Sequence, residues 1–471
     1  GSSITPVYED TERDYANVYQ AVAPARQSAL QALAARADTS GQGQAVVVFN
    51  TLSWDRRDTV ELDGWEATAP VVAVGPDGQA EPVHVGDDGG ARFCAHVPAL
   101  GFAVYHLRNA AGQTPPAITA ETERLENEHL RLTFDSDGRL VSVFDKAADR
   151  EVLAVGGTGN RLTLYEDKPL RFDAWDVEIF HTDNPLVVDG ELISAEVVEA
   201  GPVRGVLRFV RRISRSAVRQ DVILAAGARR AEFRTSVDWG DEKNVFLKVG
   251  FDLAVRAEQA KYEIQFGHVS RPTHRNTPSD FARFEVAGQK WADLAEGDYG
   301  VALLNDCKYG HSTRGSTMEL SLLRAPKHPD PVADVNQTHE MTWALQPHAT
   351  ADVTPAVRGG AELNSPLLAV AADAHAGPAG PSGSYLRVNE TSAVVEAVKL
   401  AEDDDGLVVR LYESANRRTR AVLATDLPRP HAEVTDLLER PLRPAEREDA
   451  GWAVDLTPFQ LTTVKLQAES K

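Results

Sequence analysis

Cysteine and methionine are both scarce in this chain: two of each among 471 residues. Cys94 and Cys307 lie far apart, so neither a disulfide framework nor a cysteine-based zinc site can be built, and a reducing, cytoplasmic setting is the default. No run of ~18 apolar residues occurs, which excludes a membrane-spanning helix. No basic stretch leads into an apolar core, so no signal peptide is visible, although the chain begins at Gly1 rather than methionine. Positive charge is also in deficit. Forty-nine Lys and Arg face seventy Asp and Glu, a net charge of −21, which argues against partners such as nucleic acid or an anionic membrane.

What is present suits a soluble, multi-domain fold. Hydrophobic residues make up 42% and charged residues 25%, enough to bury a core, and the length implies roughly two to four domains. Thr5-Pro6 reads as an N-cap followed by proline at the first helical position. Tyr8, Tyr15, Val18, Tyr19 and Val22 then recur on one helical face. Pro24 is predicted to kink or break that helix, and a second helical stretch runs from Ala25 to Ala37. A lone helix of this kind needs a partner surface.

From Gln44 onward the period changes to two. Ala45–Phe49, Val60–Leu62, Val71–Val74 and Phe102–Tyr105 read as strands of a small β-sandwich, with a turn at Asp87–Gly90 and a linker at Ala110–Pro116. A larger β block spans Ile118 to His348. In it Leu130–Phe134 and Leu140–Phe144 flank Asp135-Ser136-Asp137-Gly138, a hairpin signal. Ala374–Ser384 reads as a linker into a last β unit. The predicted organisation is mainly β: a helical segment over 1–40, sandwiches over 44–112 and 351–471, and a large one over 118–350.

Chemistry is harder to read. A glycosidase needs two carboxylates ~5–10 Å apart, and seventy acids cannot be sorted by spacing. Asp173-Ala174-Trp175-Asp176 is the best candidate, because an indole can stack on a sugar ring while carboxylates accept its hydroxyls. The competing reading is a β-turn with a packing tryptophan. His268, His274, His311, His328, His339 and His348 lack metal-ligand spacing and read as loop and surface residues. Cys307 beside Asp306 reads as a small buried residue rather than a nucleophile. Gly156-Gly157-Thr158-Gly159 lacks the lysine of a phosphate-binding loop.

An ordered series of motifs goes further. SSITPVYEDTERDY, VVVFNTLSWDR, LENEHLRLTFDSDGRLVSVFDK, YEDKPLRFDAWDVE, VDW with FLKVGF, QFGHVSRPTHRNTPSDFARFE, the run from Lys290 to Pro331 and VKLAEDDDGLVVRLYE follow one another along nearly the whole chain. The series resembles the C-terminal portion of the glycoside hydrolase family 38 α-mannosidases, in their cytosolic and bacterial branch. The resemblance implies a large super-β-sandwich of the galactose-mutarotase type flanked by smaller sandwiches, with an N-terminal helix from a helical bundle. It also implies a retaining, zinc-dependent α-mannosidase whose nucleophile and zinc ligands belong to an N-terminal α/β domain.

No residue here matches those catalytic or metal positions. The expectation is therefore no zinc site and no hydrolysis by this chain alone, with the catalytic domain, an α-mannoside glycan and a second copy of the chain as partners. The last zinc-ligand histidine of that branch is expected just before Gly1. On the resemblance, Asp173, Trp175, Asp176, Arg271, Thr273, His274, Asn276 and Trp291 are expected to line the sugar pocket, with Trp291 facing the sugar. A free-standing mannoside-binding module and a purely structural or oligomerisation module are the competing readings.

Overall fold

A computed structural model describes residues 4–62, 71–86, 89–110, 118–332, 335–448 and 451–468. Asp87 and Asp88 of the expected turn, residues 111–116 of the expected linker and Gly1–Ser3 lie outside these. The chain is mainly β, as expected, with one long helix at its start. It divides into two compact units: residues 1–29, 114–262 and 270–351 form one, and residues 30–113, 263–269 and 352–471 the other.

The helix runs from Thr5 to Ala34 without interruption, so Pro24 does not break it as the sequence predicts. The residues around Pro24 are all exposed, a setting in which the Gln20 carbonyl that a proline cannot satisfy can be solvated. Thr5 is the first helical residue rather than the cap. Its backbone N–H and its hydroxyl both donate to Asp330 Oδ2 at 2.7 Å, and these bonds hold the Asp330 carboxyl below its usual pKa. Tyr15, Val18, Tyr19 and Val22 are exposed.

In the first unit, a nine-stranded and a six-stranded antiparallel sheet form the main layers. Glu191–Ala200, Arg204–Ile213, Ser216–Ala225, Ala231–Trp239 and Gln337–His348 are consecutive neighbours in the larger sheet. Pro185–Val188, Arg161–Glu166, Val245–Asp252, Thr317–Arg324, Gly310–Arg314 and Val286–Ala287 make the smaller one, in that order. Phe233 of the first meets Phe251 of the second at 5.9 Å between ring centroids, so the two inner faces share a core. A five-stranded sheet over Thr119–Glu151 adds Phe134 against Phe209 at 5.0 Å. Its hairpin forms where the sequence predicts it. Asp135 Oδ1 accepts from the Asp137 and Arg139 backbone N–H groups, and Gly138 sits at φ 69°, where a side chain would be strained.

In the second unit, the strands predicted over 44–109 form one sheet, which is completed by Leu368–Ala372 and Ser382–Ser384 from later in the chain. Gly101 allows that closure: a Cβ there would stand 2.1 Å from the Gly383 carbonyl oxygen. Because strand side chains alternate, Val46, Val48 and Tyr105 pack on one face of this sheet with Phe93. Val47, Phe49 and Val104 pack on the other face with Leu30, Ala34 and Ala37. A four-stranded and a five-stranded sheet enclose a further core of Leu423, Trp452, Val409 and Leu466.

Candidate functional site

Asp173–Asp176 forms a tight turn on the loop that follows the Arg161–Glu166 strand. The Trp175 and Asp176 N–H groups both donate to the Phe172 carbonyl, at 2.8 and 2.9 Å. Phe172 takes φ 57° to close the turn and packs edge-on against the Trp175 ring at 6.0 Å. Trp175 remains 48% exposed, an unusual state for so large an apolar surface. One arginine fixes the loop. Arg324 pairs with Asp167 Oδ2 at 2.7 Å and donates to the carbonyls of Asp173 and Asp176 at 3.0 and 2.8 Å. Burial pushes the Asp167 pKa up, and the Arg324 charge only partly opposes it. Asp173, Trp175 and Asp176 thus share one pinned turn, and Asp173 Oδ2 accepts the Lys327 N–H at 3.4 Å.

The other expected residues are dispersed. Thr273 is buried and its hydroxyl donates to the Ala257 carbonyl at 2.7 Å, so it holds a loop. His274 is exposed, with Nδ1 3.8 Å from Asp280 Oδ2, and Asn276 is exposed. Arg271 is half-buried, and its Nε has no partner among the described residues. Trp291 is 1% exposed within the strand Trp291–Ala295, among the largest fully buried side chains. It packs the core, and no face of it is open to a ligand. Among the described residues, no hydrogen bond or ion pair joins the Asp173–Asp176 turn to residues 271–276. The Cys307 thiol is pushed up to about 12 by desolvation and by Asp306, which removes it as a nucleophile.

The sequence reading missed a larger polar array on the six-stranded sheet. Lys248 is 1% exposed, in a strand buried at seven of its eight positions. Its Nζ lies 2.9 Å from Glu285 Oε2, 3.0 Å from Glu319 Oε2 and 2.9 Å from Ser312 Oγ. Glu319 also accepts from Ser312 Oγ at 2.8 Å and from the Tyr165 hydroxyl at 3.0 Å. Burial disfavours the Lys248 ammonium, yet the two carboxylates outweigh it and raise the pKa. Burial likewise opposes the Glu319 carboxylate, but Lys248 and the hydroxyl donors bring it down to about 2.

Tyr165 is raised to about 12, first by burial and then by Glu319. Next to the cluster, burial and then Lys248 lower His311 to about 4. Arg275, in the loop that carries four of the expected residues, is held below its usual pKa by burial and then by Arg314, while Glu319, Asp183 and Glu285 pull the other way. The array is closed: all three Lys248 protons have acceptors, so it orders the sheet and presents no nucleophile. A lone lysine inside Val245–Phe251 was the signal that could have found it.

Among the described residues, no group of three or more His, Cys, Asp or Glu side chains could hold a metal ion. No helix among the described residues is long and apolar enough to cross a membrane.

Comparison with known proteins gives the family. Residues 125–332 match the model described as "Glycosyl hydrolases family 38 C-terminal domain". Residues 392–464 match "Glycosyl hydrolases family 38 C-terminal beta sandwich domain". The chain is 39% identical to alpha-mannosidase 2C1 of Homo sapiens over 440 residues, 90% of this chain and 40% of that protein. It is 37% identical to alpha-mannosidase G of Dictyostelium discoideum over 359 residues, 72% of this chain and 32% of that one. It thus spans less than half the length of either relative. A solved alpha-mannosidase from Enterococcus faecalis V583 superposes over 99% of this chain and 61% of its own, with a TM-score of 0.79 at 16% identity, a likeness of fold. Matched in order along the chain by two domain models of one family, the chain belongs to glycoside hydrolase family 38 and consists of that family's C-terminal region.

Proposed function

We propose that this chain is the C-terminal part of a retaining, zinc-dependent α-mannosidase that hydrolyses terminal α-mannosides. The observation that carries the reading is the ordered pair of family 38 domains in a chain 39% identical to a protein named for that activity. In this reading the nucleophile and the zinc ligands belong to an N-terminal catalytic domain, which is this region's first partner, and the chain hydrolyses nothing alone. A second copy of the chain is a further partner in this reading, nucleic acid and membrane are not, and the protein works in the cytoplasm.

Trp175 contributes a stacking face to the sugar, while Asp173 and Asp176 accept hydroxyl protons. Its exposure and the Arg324 clamp support that role, since a binding residue must be both reachable and held. Arg271, His274 and Asn276 serve as a second, looser wall. Thr273 and Trp291 serve by packing. The test is turnover of an aryl α-mannoside, with zinc measured by atomic absorption, for the 471-residue chain and for the protein extended to include the residues encoded before Gly1. Activity and zinc in the extended protein alone are expected. Stoichiometric zinc with turnover by the 471-residue chain would sink the reading.

A further inference from the structure

An open groove of about 630 Å³ lies within the second unit, beside the helix Thr354–Asn364 and the strands Leu386–Val388 and Thr419–Thr425. Its lining includes an arginine laid on a tryptophan. The Arg358 guanidinium stands 5.2 Å over the Trp54 ring, and the Trp54 indole N–H is anchored on Glu362 Oε1 at 2.8 Å. Among the described residues Arg358 forms no ion pair, and its Nε is buried without a partner. Burial holds its pKa below the usual arginine range, and Glu362 and Asp55 offset this only in part. A guanidinium so placed is short of an anion.

Other groups converge on the same space. Arg387 lines the groove, and its ion pair with Asp426 at 2.6 Å joins two exposed side chains, a contact weak enough to be exchanged. Asn389 accepts the Val422 N–H through Oδ1 at 2.7 Å, which orients its amide donors. Asp55 holds the Ala99 N–H through Oδ1 at 2.8 Å and keeps Oδ2 as an acceptor. Two guanidiniums and an amide suit a carboxylate or a phosphate. Asp55 and Glu390 in the lining suit hydroxyl donors and repel polyanions. The volume lies within the range of small-molecule sites.

We propose that this groove binds a monosaccharide-sized anion, a hydroxylated ring bearing one carboxylate or phosphate group, with Arg358 and Arg387 on the anion and Asp55 on a ring hydroxyl. The site draws on none of the residues placed at the candidate sugar pocket, so it stands or falls independently of the α-mannosidase reading. Calorimetry on the 471-residue chain with glucuronate, glucose 6-phosphate, inorganic phosphate and neutral glucose tests it. At least one anionic sugar should bind tenfold or more tightly than glucose, and R358Q and R387Q should each lower that affinity by about tenfold. The ratio of glucuronate to glucose 6-phosphate then assigns the carboxylate or the phosphate. R387Q alters an exposed side chain and decides the matter if R358Q lowers the melting temperature. Anionic sugars no tighter than glucose, or affinity unmoved by R387Q, would overturn the site. Inorganic phosphate binding as tightly as glucose 6-phosphate would overturn the role given to Asp55.

Discussion

Replacing Lys248 by methionine removes one charge and leaves two carboxylates behind. The methionine fills most of the lysine's volume, so the cost is electrostatic rather than a cavity. Removing one partner of a buried ion pair costs about 3–5 kcal/mol. The depressed pKa of Glu319 leads to a similar figure. The Glu319 carboxyl falls from 4.5 to about 2 in the fold, and at ~1.4 kcal/mol per unit this corresponds to roughly 3 kcal/mol. In the wild type that stabilisation is fully present above pH ~4.5 and is lost as pH falls from there towards 2, because the folded pKa lies below the unfolded one. In K248M the sign reverses. Burial without the lysine raises the folded pKa of Glu319, so the variant gains stability relative to wild type as pH falls from 7 to 5.

The assay is urea titration followed by hydrogen exchange in peptides that cover Val245–Asp252, which reads this sheet alone in a chain of two units. K248M should lose about 3–5 kcal/mol at pH 7 and less at pH 5. A loss under ~1 kcal/mol, or one that is the same at both pH values, would refute the argument that the cluster is a buried, mutually dependent ion network.

R324M should cost about 3–5 kcal/mol, because it leaves the buried Asp167 unpaired, and should speed exchange at the Trp175 and Asp176 amides; wild-type exchange at both amides would show that another contact fixes the loop. In the extended enzyme the same variant should raise KM for an aryl α-mannoside more than it lowers kcat, read from initial rates. W291A should cost about 3–5 kcal/mol as a core cavity, whereas W175A, at an exposed ring, should stay within about 0.5 kcal/mol, both by urea titration. P24A should slow exchange across residues 20–28 by stabilising the helix by up to about 3 kcal/mol.

Local signals were the legible ones. The hairpin at Asp135–Gly138 and the local closure of the Asp173–Asp176 turn rest on neighbours within four residues, so the sequence announces both, whereas the Arg324 clamp about 150 residues away leaves no local mark. Trp291, expected on the resemblance to face the sugar, is instead buried because the fold pairs its strand on both sides within a nine-stranded sheet. The Asp293 carboxylate two residues on is equally buried, 2.9 Å from His348, and a partner 55 residues away leaves no mark in local spacing. Arg358 and Trp54 are separated more widely still and meet only once the Leu368–Ala372 strand has closed the early sheet. The helix through Pro24 departs from its local signal for the opposite reason. A proline is tolerated in a helix where the carbonyl it leaves unpaired can be solvated, and the residues around Pro24 are all exposed.

The Lys248 array shows why a sandwich retains so costly a group. Lys248 stands in register with Ser321 on one neighbouring strand and Thr163 on the other. Its partners come from the Thr317–Arg324 and Gly310–Arg314 strands and from Glu285, one residue before Val286–Ala287, while Tyr165 joins from Arg161–Glu166. Apolar residues at these positions would tolerate a shift of two residues along a strand, since side chains repeat with that period. A lysine with three fixed acceptors would not, and a shift of one residue would turn it to the opposite face. The network therefore specifies the pairing of five adjacent strands with one side chain. A triple variant that replaces Lys248, Glu285 and Glu319 with apolar residues should match wild-type stability to within about 2 kcal/mol while broadening the amide spectrum of the sheet. A triple variant as sharply ordered as wild type would show that burial alone sets the register.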